Sequence, residues 1–170
     1  MKKRQVLAPL AAFMLGACAP TAGLGSGESA ASLQSERTIF VIRHLHKAQG
    51  EDPPLSSEGA AAAESLADLL EDKGIVAAFA TPTRRAMQTA APLAERTGIT
   101  ISQYDAFAPE DLVASVEAID GSVLVVGHSN TVPDLVVRFG GKTQPVLTEQ
   151  DYGTVFMIDG KGRVDELSVE

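Results

Sequence analysis

Two apolar runs, each ending in a histidine, constrain this 170-residue chain more than any other feature. Thr38-Ile39-Phe40-Val41-Ile42 stops at Arg43-His44, and Ser122-Val123-Leu124-Val125-Val126 stops at Gly127-His128. A short uninterrupted apolar run predicts a strand buried on both faces, as in parallel sheets. In open α/β sheets, ligands bind outside the carboxyl ends of the strands. Two such strands lying parallel and adjacent would bring His44 and His128 into one crevice.

The remaining pattern alternates helix with strand. Leu55-Ser56-Ser57-Glu58-Gly59 opens a helix with Ser56 or Ser57 as N-cap. It continues from Ala60 to Asp72, with Ala63, Leu66, Leu69 and Leu70 at helical spacing, and ends at Lys73-Gly74. Ile75 to Ala80 reads as a second strand, Thr81-Pro82-Thr83 as a turn, and Arg84 to about Thr97 as a second helix. Ile99 to Tyr104 alternates like a strand near a sheet edge. Pro109 opens a helix to about Ile119, and Thr131-Val132-Pro133 opens one to about Phe139 that Gly140-Gly141 stops. Tyr152–Asp159 and Val164–Val169 predict a closing antiparallel hairpin. The whole predicts an α/β three-layer sandwich: a mostly parallel central sheet flanked by helices, with right-handed crossovers.

The start of the chain reads differently. Met1-Lys2-Lys3-Arg4 is basic, and the mostly apolar Gln5–Met14 is too short to span a bilayer as a helix. Leu15-Gly16-Ala17-Cys18 resembles the lipobox of bacterial lipoproteins. That resemblance implies cleavage before Cys18, lipid on Cys18 and export to the periplasm; Ala19 rather than Asp in the next position implies the outer membrane. An ordinary secretory signal with an incidental Cys18 is the alternative. Ala19 to about Glu36, rich in Ala, Gly, Ser, Thr and Pro, reads as a flexible tether. The expected organisation is thus signal peptide 1–17, tether 18–36 and one folded domain 37–170. Removing Lys2, Lys3 and Arg4 takes the 14 basic residues to 11 against 22 acidic ones. That balance argues against nucleic acid as a partner and against adsorption to anionic lipid, so membrane attachment would rest on the lipid at Cys18.

Arg43-His44 follows the first strand, Arg84-Arg85 opens the helix after the second, and His128 ends the fourth. Guanidinium groups and a helix N-terminus facing one crevice suit a tetrahedral oxyanion, phosphate above all. Cations beside an imidazole disfavour its charged form and keep it nucleophilic. His44 can then attack phosphorus while Arg43, Arg85 and His128 hold the oxygen charge.

Arg43-His44, Leu55-Ser56-x-x-Gly59, Thr81-Pro82-x-x-Arg85-Ala86-x-Gln88-Thr89-Ala90 and Gly127-His128-Ser129-Asn130, in that order, resemble the histidine phosphatase superfamily. This is the phosphoglycerate mutase-like family; the likeness is to its small phosphatase branch. The resemblance implies phosphorylation of His44, with Arg43, Arg85 and His128 forming the phosphate pocket and Arg84 outside it. It implies a small phosphorylated substrate and neither cofactor nor metal; it names no protein partner.

The departures are specific. Leu45 stands where most members have Gly, and Leu45-His46-Lys47 is closer to a branch reading Arg-His-x-x-Lys. His46 is a candidate for the pocket edge and Lys47 for its mouth. Ser129 stands where the acid-phosphatase branch has Asp or Glu. Asp105 is the candidate general acid and Glu110 the second choice. A three-histidine metal site of His44, His46 and His128 is opposed by the adjacent arginines. The expected activity is phosphomonoester hydrolysis; the alternatives are a phosphomutase, or a phosphate-binding module with little turnover.

Overall fold

The structure is a computed structural model that describes residues 37–143 and 145–169. The expectations for the signal peptide, Cys18 and the tether lie outside the described residues.

Six strands and four helices follow in the order β1 (Thr38–Arg43), α1 (Ser57–Leu70), β2 (Ile75–Ala80), α2 (Arg84–Thr97), β3 (Ile101–Gln103), α3 (Pro109–Glu117), β4 (Ser122–Gly127), α4 (Val132–Arg138), β5 (Thr154–Asp159) and β6 (Val164–Ser168). They build one sheet in the order β3-β2-β4-β1-β5-β6. β1, β2, β3 and β4 pair in parallel, and β5 and β6 add antiparallel strands beyond β1. The mostly parallel three-layer sandwich is the one the alternation predicts.

Residue alternation along β1 splits the core in two, because successive side chains leave a strand on opposite faces. Phe40 and Ile42 pack with Ala63, Leu66 and Leu70 of α1 and Ala90 and Leu93 of α2. Ile39 and Val41 pack on the other face with Leu112 and Val116 of α3 and Leu135 and Val136 of α4. Since both faces are covered, β1 and β4 can be apolar through their middles, and β4 is buried along its whole length. The outer strands are less buried: β6 exposes three of its five residues.

Local chemistry sets the element ends. Ser56 Oγ accepts from the Gly59 N–H and caps α1. The helix stops at Leu70, three residues before Lys73-Gly74, so that pair shapes the following turn rather than the helix end. α2 ends on Gly98, whose φ of 73° suits glycine and whose N–H reaches the Ala94 carbonyl. Three predicted strands are shorter than expected: β3 keeps only Ile101–Gln103 at the sheet edge, β5 starts at Thr154, and β6 ends at Ser168. Tyr152 lies outside the ladder, two residues before β5. No helix among the described residues is long and apolar enough to cross a membrane.

Candidate active site

The register of the parallel pair builds the site. Arg43 lies opposite Gly127, and the His44 N–H donates to the Gly127 carbonyl at 2.9 Å, carrying the ladder one step past β1. His44 and His128 therefore leave neighbouring strand ends together. Their rings are 5.3 Å apart, edge to face at 66°. Gly127 is required beside them: a Cβ there would come within 2.8 Å of Thr131 Oγ1 and 3.1 Å of the Tyr104 hydroxyl.

The His44 ring is held in one tautomer. Its Nδ1 lies 2.9 Å from the Leu45 carbonyl, which can only accept, so Nδ1 carries the proton and Nε2 the lone pair. Burial lowers the His44 pKa from the ordinary 6.5 to about 4; the Leu45 carbonyl opposes this, and the charges of Arg85 and Arg43 reinforce it. His128 is also lowered to about 4, by burial first and then by Arg85 and Arg43. Desolvation is thus a larger cause than the arginines that the sequence brings to mind. His128 Nε2 is 2.9 Å from the hydroxyl of Thr81, a buried residue at the end of β2.

α2 ties the site together through the residues that follow Arg85. The Thr89 hydroxyl donates to the Arg85 carbonyl and accepts from the Leu45 N–H at 3.1 Å. Gln88 accepts from the Leu55 N–H at 2.8 Å. The first bond fixes the backbone just after His44 against α2, and the second fixes the loop before α1. Gly59 has a similar role: a Cβ there would sit 2.0 Å from the His46 carbonyl, so only glycine lets α1 back onto this loop.

The four pocket residues predicted from sequence come together, and the adjacent arginines separate. Arg84 is exposed, while the Arg85 side chain is largely covered and depresses the pKa of both histidines. Asp52, in the loop before α1, accepts from the Arg84 N–H and lies 3.6 Å from Arg85 Nη1. Arg43 is only 2 % exposed. Its Nη1 donates to the carbonyls of Thr148 and Asp151, its Nη2 lies 3.3 Å from Glu149, and Tyr152 covers the guanidinium at 4.1 Å. A charge this buried is stable only when paired or hydrogen-bonded, and the segment before β5 supplies those groups. The Nε groups of Arg43 and Arg85 are buried with no acceptor among the described residues, donors that an oxyanion would satisfy.

The other predicted residues lie around this centre. His46 stacks on Tyr152 with ring centroids 4.1 Å apart and sits 3.6 Å from Glu58. Lys47 is exposed and near enough to Glu149 to help lower its pKa. Asp105 is exposed and lines a cleft that ends at His128. Glu110 does not line that cleft and pairs with Arg138 at 3.0 Å. Among the described residues, no three His, Cys, Asp or Glu side chains are grouped to hold a metal ion. Sequence reasoning missed Asp52, Thr81 as a histidine partner, Glu149 and Tyr152. Thr81 stood inside a recognised motif; the others sit in loops without periodicity. Glu149 is exposed, and its pKa is lowered by the Ser129 hydroxyl and then by Arg43.

Residues 39–112 match the family model of the histidine phosphatase superfamily (branch 1). Solved structures agree on the fold over most of the chain. A SixA-type structure from Agrobacterium tumefaciens is 22% identical, covering 78% of this chain and 99% of the other at a TM-score of 0.60. The protein histidine phosphatase SixA complexed with tungstate is 22% identical, with 77% and 96% covered and a TM-score of 0.60. A mycobacterial glucosyl-3-phosphoglycerate phosphatase, Rv2419c, complexed with inorganic phosphate, is 19% identical, with 78% and 95% covered and a TM-score of 0.59. The fold is therefore that of the histidine phosphatases. A curated relative, the uncharacterized protein Rv0525 of Mycobacterium tuberculosis, is 34% identical over 97 residues, or 52% of this chain and 46% of that protein. The chain spans about half the length, or less, of the curated relatives it matches.

Proposed function

We propose that this protein is a histidine phosphatase superfamily member that hydrolyses small phosphomonoesters through a phosphohistidine on His44. The observation that carries the reading is the His44 ring: buried, held neutral, with Nδ1–H on a carbonyl and Nε2 bearing the lone pair next to His128 and Arg85. Nε2 attacks phosphorus and forms the N–P bond as the ester P–O bond breaks. The leaving oxygen takes a proton, for which Asp105 in the adjoining cleft is the candidate donor. Water then attacks phosphorus, the N–P bond breaks, and inorganic phosphate and free His44 result. Arg43, Arg85 and His128 hold the equatorial oxygens, where fixed charge and hydrogen bonds do most of the catalytic work. His46 and Lys47 stand at the rim, placed to meet the substrate rather than the phosphoryl group.

Incubation with substrate should leave an acid-labile, base-stable phosphate on His44. His44→Ala should remove label and activity with the fold intact, while His128→Ala should lower both without moving the label. Turnover surviving in His44→Ala, or lost with chelator and restored by zinc, would overturn the mechanism.

A second reading, a phosphate-binding module with little turnover, has one observation in its favour. Both carbonyls on Arg43 Nη1 and the carboxylate beside Nη2 already occupy donors that a phosphate would use. Burst labelling of His44 without steady turnover would mark that case. A phosphomutase would return label to a second acceptor rather than to water.

The same proposal places the protein in the cell envelope, exported and held in the periplasm by lipid on Cys18, with the outer membrane as destination. Cys18→Ser should release it from the membrane fraction; unchanged fractionation and gel mobility would remove the anchor.

A further inference from the structure

The phosphoryl end of the site is cationic, and the space beyond it is not. A cleft of about 790 Å³ opens from His128 and runs between the β3–α3 loop and α4. Its charged lining residues are Asp105 and Asp134 alone, and no lysine or arginine lines it. Arg138, outside the lining, is shared between Asp134 and Glu110, so it leaves that end acidic. Between the carboxylates the walls are apolar: Pro82, Pro109 and Leu135 contribute, and Phe107 stands at 95% exposure on the loop. An aromatic ring so exposed does nothing for the core, whereas at the wall of a cleft it offers a flat apolar face.

We infer that this cleft receives the leaving group, and that it selects phosphomonoesters whose leaving group has an apolar body and carries no anionic group, with a cationic end preferred. The inference rests on the phosphoryl-transfer reading, since only that reading puts phosphorus between His44 and His128 and so aims the leaving oxygen at the cleft. Selectivity follows from position. A second carboxylate or phosphate on the substrate would approach Asp134, where the one guanidinium, Arg138, is already shared by two carboxylates, whereas an ammonium group would meet carboxylate oxygen there. Mutase chemistry on a carboxylated sugar phosphate is disfavoured by the same walls.

The test uses the full chain and three aryl phosphates of matched size: 4-(aminomethyl)phenyl, 4-(hydroxymethyl)phenyl and 4-(carboxymethyl)phenyl phosphate. The methylene insulates the phenol, so leaving-group chemistry stays nearly constant while charge changes. kcat/KM reports the transfer to His44, before the common hydrolysis step. It should fall in the order ammonium, hydroxyl, carboxylate, with about tenfold or more between the extremes at low salt and less at high salt. Asp134→Asn should shrink that ratio about threefold. Phe107→Ala should raise KM for all three by a similar factor. Equal values for the three esters, or a faster carboxylate ester, with His44 still labelled, would overturn the inference and leave the phosphohistidine reading standing. No turnover and no label with any ester would overturn that reading and the inference with it.

Discussion

Arg84 and Arg85 are adjacent in sequence and opposite in fate. A helix turns 100° per residue, so only one of the pair can face the crevice, and Arg85 is the one largely covered there. Arg85→Ala should weaken vanadate binding and turnover by about 2–5 kcal/mol, the usual loss for a covered charge-assisted contact. Arg84→Ala should change either by less than about twofold, since an exposed charge contributes little. Titration of both variants with vanadate decides the matter, and equal damage in two folded proteins would refute the assignment. At this scale the sequence was most legible at His44, Arg43, Arg85 and His128, because strand ends and helix starts place their residues predictably. It was mute at Glu149 and Tyr152. These reach Arg43 from a loop more than a hundred positions later, Glu149 through a hydrogen bond spanning 106 residues and Tyr152 through its ring, and no local period marks such a residue.

Among the elements, α1 comes very close to the loop after β1. Gly59 is helical, so alanine should favour α1 by about 1 kcal/mol on propensity alone. The 2.0 Å approach to the His46 carbonyl predicts the reverse. Backbone cannot yield as a flexible side chain does, so Gly59→Ala should lower stability by about 1–3 kcal/mol, as overpacking does. Urea midpoints would show it, and a more stable variant would mean the two elements do not touch. The pattern of apolar residues predicted that α1 exists and which face it buries. It could not predict that its first turn meets a carbonyl, because that depends on how closely two separate elements pack. The same limit explains the early end of α1 and the short β3: helix and strand ends answer to neighbours, while their middles answer to periodicity.

For the whole molecule, the paired histidines link folding to pH. In the folded chain both stay neutral down to about pH 4, whereas the unfolded chain takes up protons near the ordinary 6.5. Between those values the unfolded state binds more protons, so stability falls as pH falls through the window. Above it the two states are alike in this respect and the effect vanishes. The depressed carboxylates of Glu149, Asp151 and Asp159 add their own loss only at lower pH. Urea unfolding at pH 7, 5.5 and 4.5 should show a decline on the order of a few kcal/mol in total. His128→Gln should flatten part of it. A flat profile across the window would show the rings to be solvated.

The strand order carries a consequence for how the protein reaches this state. β1 leaves the ribosome before every other element of the sheet, yet its two neighbours are β4 and β5. It therefore waits, unpaired and apolar, until residues 122–127 and 154–159 have emerged, and loops of that length close slowly. Arg43 acquires its carbonyl partners only when the segment before β5 arrives. Arg43 is thus fully partnered only in a chain that contains the segment before β5, and a fragment that stops short of it leaves that charge without its carbonyl acceptors.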